Sequence, residues 1–223
     1  MKSVFIVGDS ISLFYHKYLK ENLKDVAIYS RKGRDEEITT ALTPGESLEN
    51  IWKANGGNSN LVLEYFKTLE SRFNFDGKAN KQDVILFNCG LHDIKTRGTK
   101  RVNQVGALKY AHNLKRIIKE FEKLKKTGLA ETLIWINTTP VVDSLHNAKR
   151  TYNFRYNADV IKYNCIAEKI MNKYGIPIID LYTFTKDVLD SNDNCFRDEL
   201  HYSDKVSLLQ ADFIKNKLQP YLK

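Results

Sequence analysis

Cysteine is scarce: the 223 residues hold three, Cys89, Cys165 and Cys195, and none falls in a CxxC spacing. An odd, sparse count excludes a disulfide framework and a structural zinc site. No apolar run approaches the ~20 residues of a membrane-spanning helix. The Gly-x-Ser-x-Gly elbow of α/β-hydrolases is missing, as are the P-loop, GxGxxG and HExxH patterns. No cofactor and no metal is therefore expected. The chain runs straight into an apolar strand, without a leader-type run and small-residue cleavage site, so the expected location is cytoplasmic. Internal repeats and low-complexity segments are absent too.

Charge is unbalanced, with a formal +8. The lysines follow helical spacing, as between Lys115 and Lys126, which is the pattern of a solvated helix face. No groove-reading motif accompanies them, so neither nucleic acid nor a membrane is an expected partner. Apolar residues at 42% and charged residues at 28% are ordinary for a globular protein.

What is present is an alternation of short apolar runs with helical patterns. The spacing predicts strands over Lys2–Val7, Val26–Tyr29, Asp83–Asn88, Thr132–Asn137 and Pro177–Asp180. Helices are expected over Ile11–Leu23, Leu61–Glu70, Val105–Lys126, Asn157–Tyr174, Leu181–Leu189 and Asp204–Leu222, the third with Leu108, Ala111, Leu114, Ile117, Ile118 and Phe121 on one face. Ser30–Ser47, Leu91–Val102 with its Gly98, and Thr138–Tyr156 read as polar loops. Apolar strands without alternation imply a parallel sheet covered on both faces. Residues 1–223 are thus expected to form one α/β domain. It would be a three-layer α/β/α sandwich on a five-stranded parallel sheet in the flavodoxin-like order 2-1-3-4-5.

Gly8-Asp9-Ser10 ends the first strand and opens the first helix. Such a handover lies where open α/β sheets bind ligands, beside free helix N–H groups that favour negative charge. Ser10 is either a helix cap or a nucleophile, if a base reaches it. Asp198-Glu-Leu-His201 offers that base, with a carboxylate one turn away to fix its tautomer. Alone, the same residues are a surface pair in a loop. Asn55-Gly-Gly-Asn58 either borders a pocket or is a turn with a helix cap. Tyr152, Phe154 and Tyr156, with Arg150 and Arg155, are expected to be an aromatic-rich surface loop rather than the lining of a sugar or acyl site.

Taken together and in this order, Gly8-Asp9-Ser10 and Asp198-x-x-His201 resemble the SGNH (GDSL-type) hydrolase family. Gly33 after the second strand, Asn88-Cys-Gly-Leu-His-Asp93 after the third and Thr139-Pro-Val141 after the fourth extend the resemblance over essentially the whole chain. One departure stands out: His92 occupies the position where the family usually has asparagine, in Gly-x-Asn-Asp.

The resemblance implies Ser10 as nucleophile, His201 as general base and Asp198 as the group orienting it. It implies an oxyanion hole from the backbone N–H groups of Ser10 and Gly33 and the side chain of His92, or alternatively Asn88. Gly33 is equally readable as a turn glycine. Asp9, Gly90 and Asp93 are expected to structure the loops. The implied function is a serine esterase acting on short acyl esters, with a small-molecule or carbohydrate ester as partner and O-acetyl sugars among the candidates. An acyltransferase with the same nucleophile, and a non-catalytic flavodoxin-like or carbohydrate-binding module, are the alternatives. The oligomeric state is not legible in the sequence.

Overall fold

Five stretches pair in parallel: β1 (Lys2–Val7), β2 (Ala27–Arg31), β3 (Gln82–Phe87), β4 (Ala130–Ile136) and β5 (Ile178–Ile179). The computed structural model describes residues 1–75, 78–96 and 101–223; Gly98 of the expected loop lies outside them. The strand order is β2-β1-β3-β4-β5. Val4 sits between Tyr29 and Val84, Ile85 opposite Leu133, and Trp135 opposite Ile178. Val4, Phe5, Ile6 and Val7 of β1 are all buried, each contributing roughly 1.5–3 kcal/mol. A separate antiparallel pair joins Asn74–Phe75 to Lys78–Ala79.

The helices are α1 (Ser10–Leu23), α2 (Asp35–Ala41), α3 (Leu48–Ala54), α4 (Ser59–Lys67), α5 (Leu69–Phe73), α6 (Ala107–Lys126), α7 (Asp143–Asn147), α8 (Asn157–Lys173), α9 (Leu181–Asp190) and α10 (Asp204–Leu218). Packing groups α1 with α10 and α10 with α9, while α6 packs on α4 and α8. The result is the three-layer α/β/α arrangement. Among the described residues no helix is long and apolar enough to cross a membrane.

Three details differ from expectation. Residues 30–47 are not all loop: α2 forms because its first turn carries Asp35, Glu36 and Glu37, and Glu37 accepts the Arg34 N–H at 2.9 Å. Leu108 is exposed and Tyr110 takes its place on the buried face of α6. At 100° per residue Leu108 points about 120° away from Leu114, off the stripe of Tyr110, Leu114, Ile117, Ile118 and Phe121. Finally, β2 runs on to Arg31, because the next N–H, that of Lys32, still bonds the Ile6 carbonyl at 2.8 Å.

Candidate active site

Asp9, not Ser10, caps α1. Its carboxylate accepts the Ile11 N–H at 3.1 Å, and its own N–H donates to the Asn88 amide oxygen at 3.2 Å. Ser10 is thereby left as the first residue of the helix, with a hydroxyl that has no capping duty and an N–H that the helix cannot satisfy. Burial raises the Asp9 carboxyl above its ordinary range, against the bonds from Asn88 and Ile11.

At the far end of the chain, the loop before α10 returns to this point. His201 Nε2 lies 2.9 Å from Ser10 Oγ, and His201 Nδ1 lies 2.7 Å from Asp198 Oδ2. The second oxygen of Asp198 accepts the N–H groups of Leu200 at 2.8 Å and His201 at 2.7 Å. Burial works against ionisation of Asp198, but these bonds, led by the His201 ring, outweigh it and hold the carboxyl well below the usual carboxylate range. An ionised Asp198 accepts a hydrogen bond from Nδ1–H and so holds the proton on that nitrogen, which leaves Nε2 as the free acceptor facing the serine hydroxyl. Phe14, one helical turn beyond Ser10, packs against the imidazole at 4.7 Å between ring centres.

Gly33 follows β2 with φ +88°, and a Cβ there would come within 2.6 Å of the Ala54 Cβ; that conformation and that closeness both require glycine. The Asn55–Asn58 turn does two jobs. Gly56 N–H bonds the Gly8 carbonyl at 2.7 Å, two residues before the serine, while Asn58 caps α4. Asn88 is committed to Asp9 through its amide oxygen. His92 is half-buried, with its ring edge-on to Trp52 at 5.5 Å; burial, then the nearby Arg155 charge, keeps it neutral by lowering its pKa well below the ordinary value. Asp93 is fully buried and accepts both the backbone N–H, at 2.9 Å, and the hydroxyl of Ser59. Gly90, at φ +147°, has the Thr138 hydroxyl where a side chain would stand.

Residue patterns gave no sign of two cations at the end of β2. Arg31 is buried and donates to the Ser12 carbonyl at 2.7 Å and the Ser12 hydroxyl at 3.0 Å. Lys32 Nζ caps the C-terminus of α3, bonding the carbonyls of Trp52, Lys53 and Asn55. Burial, then the Arg31 charge, pushes Lys32 down to about 8. These two residues clamp the serine turn and α3 around Gly33. Arg155 was also missed: it is buried, not part of an exposed loop. Sequence carries no signal for these residues beyond the oddity of adjacent cations at the end of an apolar strand.

The model of the GDSL-like Lipase/Acylhydrolase family matches residues 4–214. The chain belongs to that family. A search of curated protein sequences finds no match. Solved structures of similar fold include a lipase/acylhydrolase from Enterococcus faecalis (17% identity, TM-score 0.63, 100% of this chain and 98% of that one). Two others are the acetyl xylan esterase AlAXEase (17%, TM-score 0.63, 97% and 99%) and a carbohydrate acetylesterase from Sinorhizobium meliloti (11%, TM-score 0.64, 99% and 99%). At these identities the likeness concerns the fold. As a family member the protein is an ester hydrolase.

Proposed function

We propose that this acylhydrolase is a serine esterase that hydrolyses short acyl esters through an acyl-enzyme, O-acetyl groups of a carbohydrate among them. The observation that carries the reading is the unbroken hydrogen-bond chain from Asp198 through His201 to Ser10. Ser10 Oγ attacks the ester carbonyl carbon while its proton passes to His201 Nε2. The carbonyl oxygen becomes an oxyanion, met by the N–H groups of Ser10 and Gly33 and by the imidazole N–H of His92. As the tetrahedral adduct collapses, His201 gives the proton to the departing alkoxide. Water, deprotonated by the same nitrogen, then attacks the acyl-serine, and the carboxylic acid leaves as Ser10 regains its proton.

The reading of a compact, carbohydrate-borne ester is supported by the similar folds. The acetylesterases among the similar folds act on that kind of ester. An organophosphonate should label the protein at Ser10, and Ser10→Ala should lose both labelling and turnover. Turnover should be faster on p-nitrophenyl acetate and acetylated xylose than on octanoyl esters. Labelling that persists in Ser10→Ala refutes the mechanism, and a preference for octanoyl esters refutes the substrate class.

A further inference from the structure

We propose that Arg155 is a positioning residue of the oxyanion site: through the Leu91 carbonyl it fixes the peptide that carries His92. The inference rests on the reading of Ser10 as nucleophile and His92 as oxyanion donor. Arg155 lies between α7 and α8, and its own backbone is held on both sides by Asn147, N–H to Oδ1 at 3.1 Å and carbonyl from Nδ2 at 2.7 Å. Its guanidinium Nε donates to the Leu91 carbonyl at 2.7 Å, and Nη1 donates to His146 Nε2 at 3.1 Å. The carbonyl of Leu91 and the N–H of His92 belong to one planar peptide group. A bond at the oxygen therefore sets the plane from which the His92 side chain departs.

The rest of this turn is tied down in the same way. Tyr110 and Thr138 donate to the Cys89 carbonyl at 3.0 and 3.1 Å, Ile94 N–H to that of Gly90 at 3.0 Å, and Val105 N–H to that of Asp93 at 3.0 Å. Arg155 supplies the tie at Leu91, next to the residue that departs from the family pattern.

A charge is an expensive choice for that tie. Arg155 is 5% exposed, and among the described residues it forms no ion pair with a carboxylate. Burying an uncompensated ion costs several kcal/mol, and a neutral donor would hold one carbonyl as well. What a neutral donor lacks is the rigid planar fork, which holds the Leu91 carbonyl and the His146 ring from one group. Arg155 lies within electrostatic range of both Asp9 and His92. Its fork also takes up the buried His146, which fixes that ring with its proton on Nδ1, because a guanidinium only donates.

The test is a double-mutant cycle on p-nitrophenyl acetate, with Arg155→Met, His92→Ala and the combined variant. Misplacing a donor by about 1 Å costs about 10²-fold, so Arg155→Met should lower kcat about 10–100-fold with KM within about twofold. In the His92→Ala background the same change should cost less than about threefold, because the residue acted upon is gone. Arg155→Lys, which keeps the charge and one donor, should recover about tenfold over Arg155→Met. Equal factors in both backgrounds, an unchanged kcat in Arg155→Met, or an unimpaired His92→Ala enzyme each overturn the inference. If Arg155→Met does not fold, the cycle is run with Arg155→Lys: its smaller loss, about 2–10-fold, should vanish in the His92→Ala background, and no loss, or an equal loss in both backgrounds, overturns the inference. Phosphonate labelling of the wild type separates the two failures: a labelled enzyme indifferent to Arg155 refutes only this inference, and an unlabelled one refutes the serine mechanism beneath it.

Discussion

Raising the pH from 5 to 8 should destabilise this fold through the buried Asp93 carboxyl, and Asp93→Asn should remove that part of the loss. Asp93 is fully buried, and its carboxyl accepts the N–H and hydroxyl of Ser59 and its own backbone N–H. Burial pushes it up to about 7, against those bonds. A carboxyl whose folded pKa exceeds its unfolded value of ~3.9 takes up a proton on folding. Its contribution is intact below about pH 4, is lost progressively as pH rises, and levels off above about 7. The full loss is about 4 kcal/mol, of which about 3 kcal/mol falls between pH 5 and 8. For a domain of this length that is roughly 6–12 °C in Tm. His16 and His146, each pushed down to about 4 by burial, slope the other way over part of the same range. The wild-type curve alone is therefore uninformative. The quantity to measure is the difference between wild type and Asp93→Asn in urea unfolding at pH 5 and pH 8. It should swing by about 3 kcal/mol in favour of the variant as the pH rises. Parallel pH profiles for the two proteins would show that Asp93 is ionised throughout and would refute the reasoning.

Two further outcomes follow from the site. Gly33→Ala places a Cβ 2.6 Å from that of Ala54 at φ +88°, so kcat should fall about 10²-fold with a loss of about 1–2 kcal/mol in stability; a variant of normal kcat would reduce Gly33 to a turn glycine. Asp198→Asn should lower kcat about 10⁴-fold by reversing the His201 tautomer, and a loss of less than about tenfold in steady-state assays would remove Asp198 from the triad.

Sequence reading reached furthest where chemistry depends on order along the chain. The continuous apolar strands predicted the parallel sheet, and Ser10 and His201 were visible as a pair because each sits at a strand or helix end that topology sends to one place. It stopped where a role depends on depth. Arg155 belongs to the same aromatic-rich stretch as the exposed Tyr152, and nothing in residue type distinguishes the arginine that turns inward from those that do not. Lys32 is likewise indistinguishable from the surface lysines until α3 brings three carbonyls to its ammonium. In the sequence Asp9 reads as a loop-structuring residue, and its capping of α1 becomes visible only once the helix start is fixed at Ser10.

Ser10 and His201 lie 191 residues apart. At translation rates of about 5–20 residues per second, roughly 10–40 s separate the synthesis of the proposed nucleophile from that of its proposed base. On that mechanism the serine is throughout the interval an ordinary alcohol, unable to attack esters in its surroundings. Its reactivity would switch on only when the segment before α10 folds back across the opening turn of α1. Covalent capture at Ser10 would then be a timer for the last docking event of the nascent chain. On the proposed mechanism, any ribosome product that stops short of His201 is chemically silent, however much of the sheet it has already built.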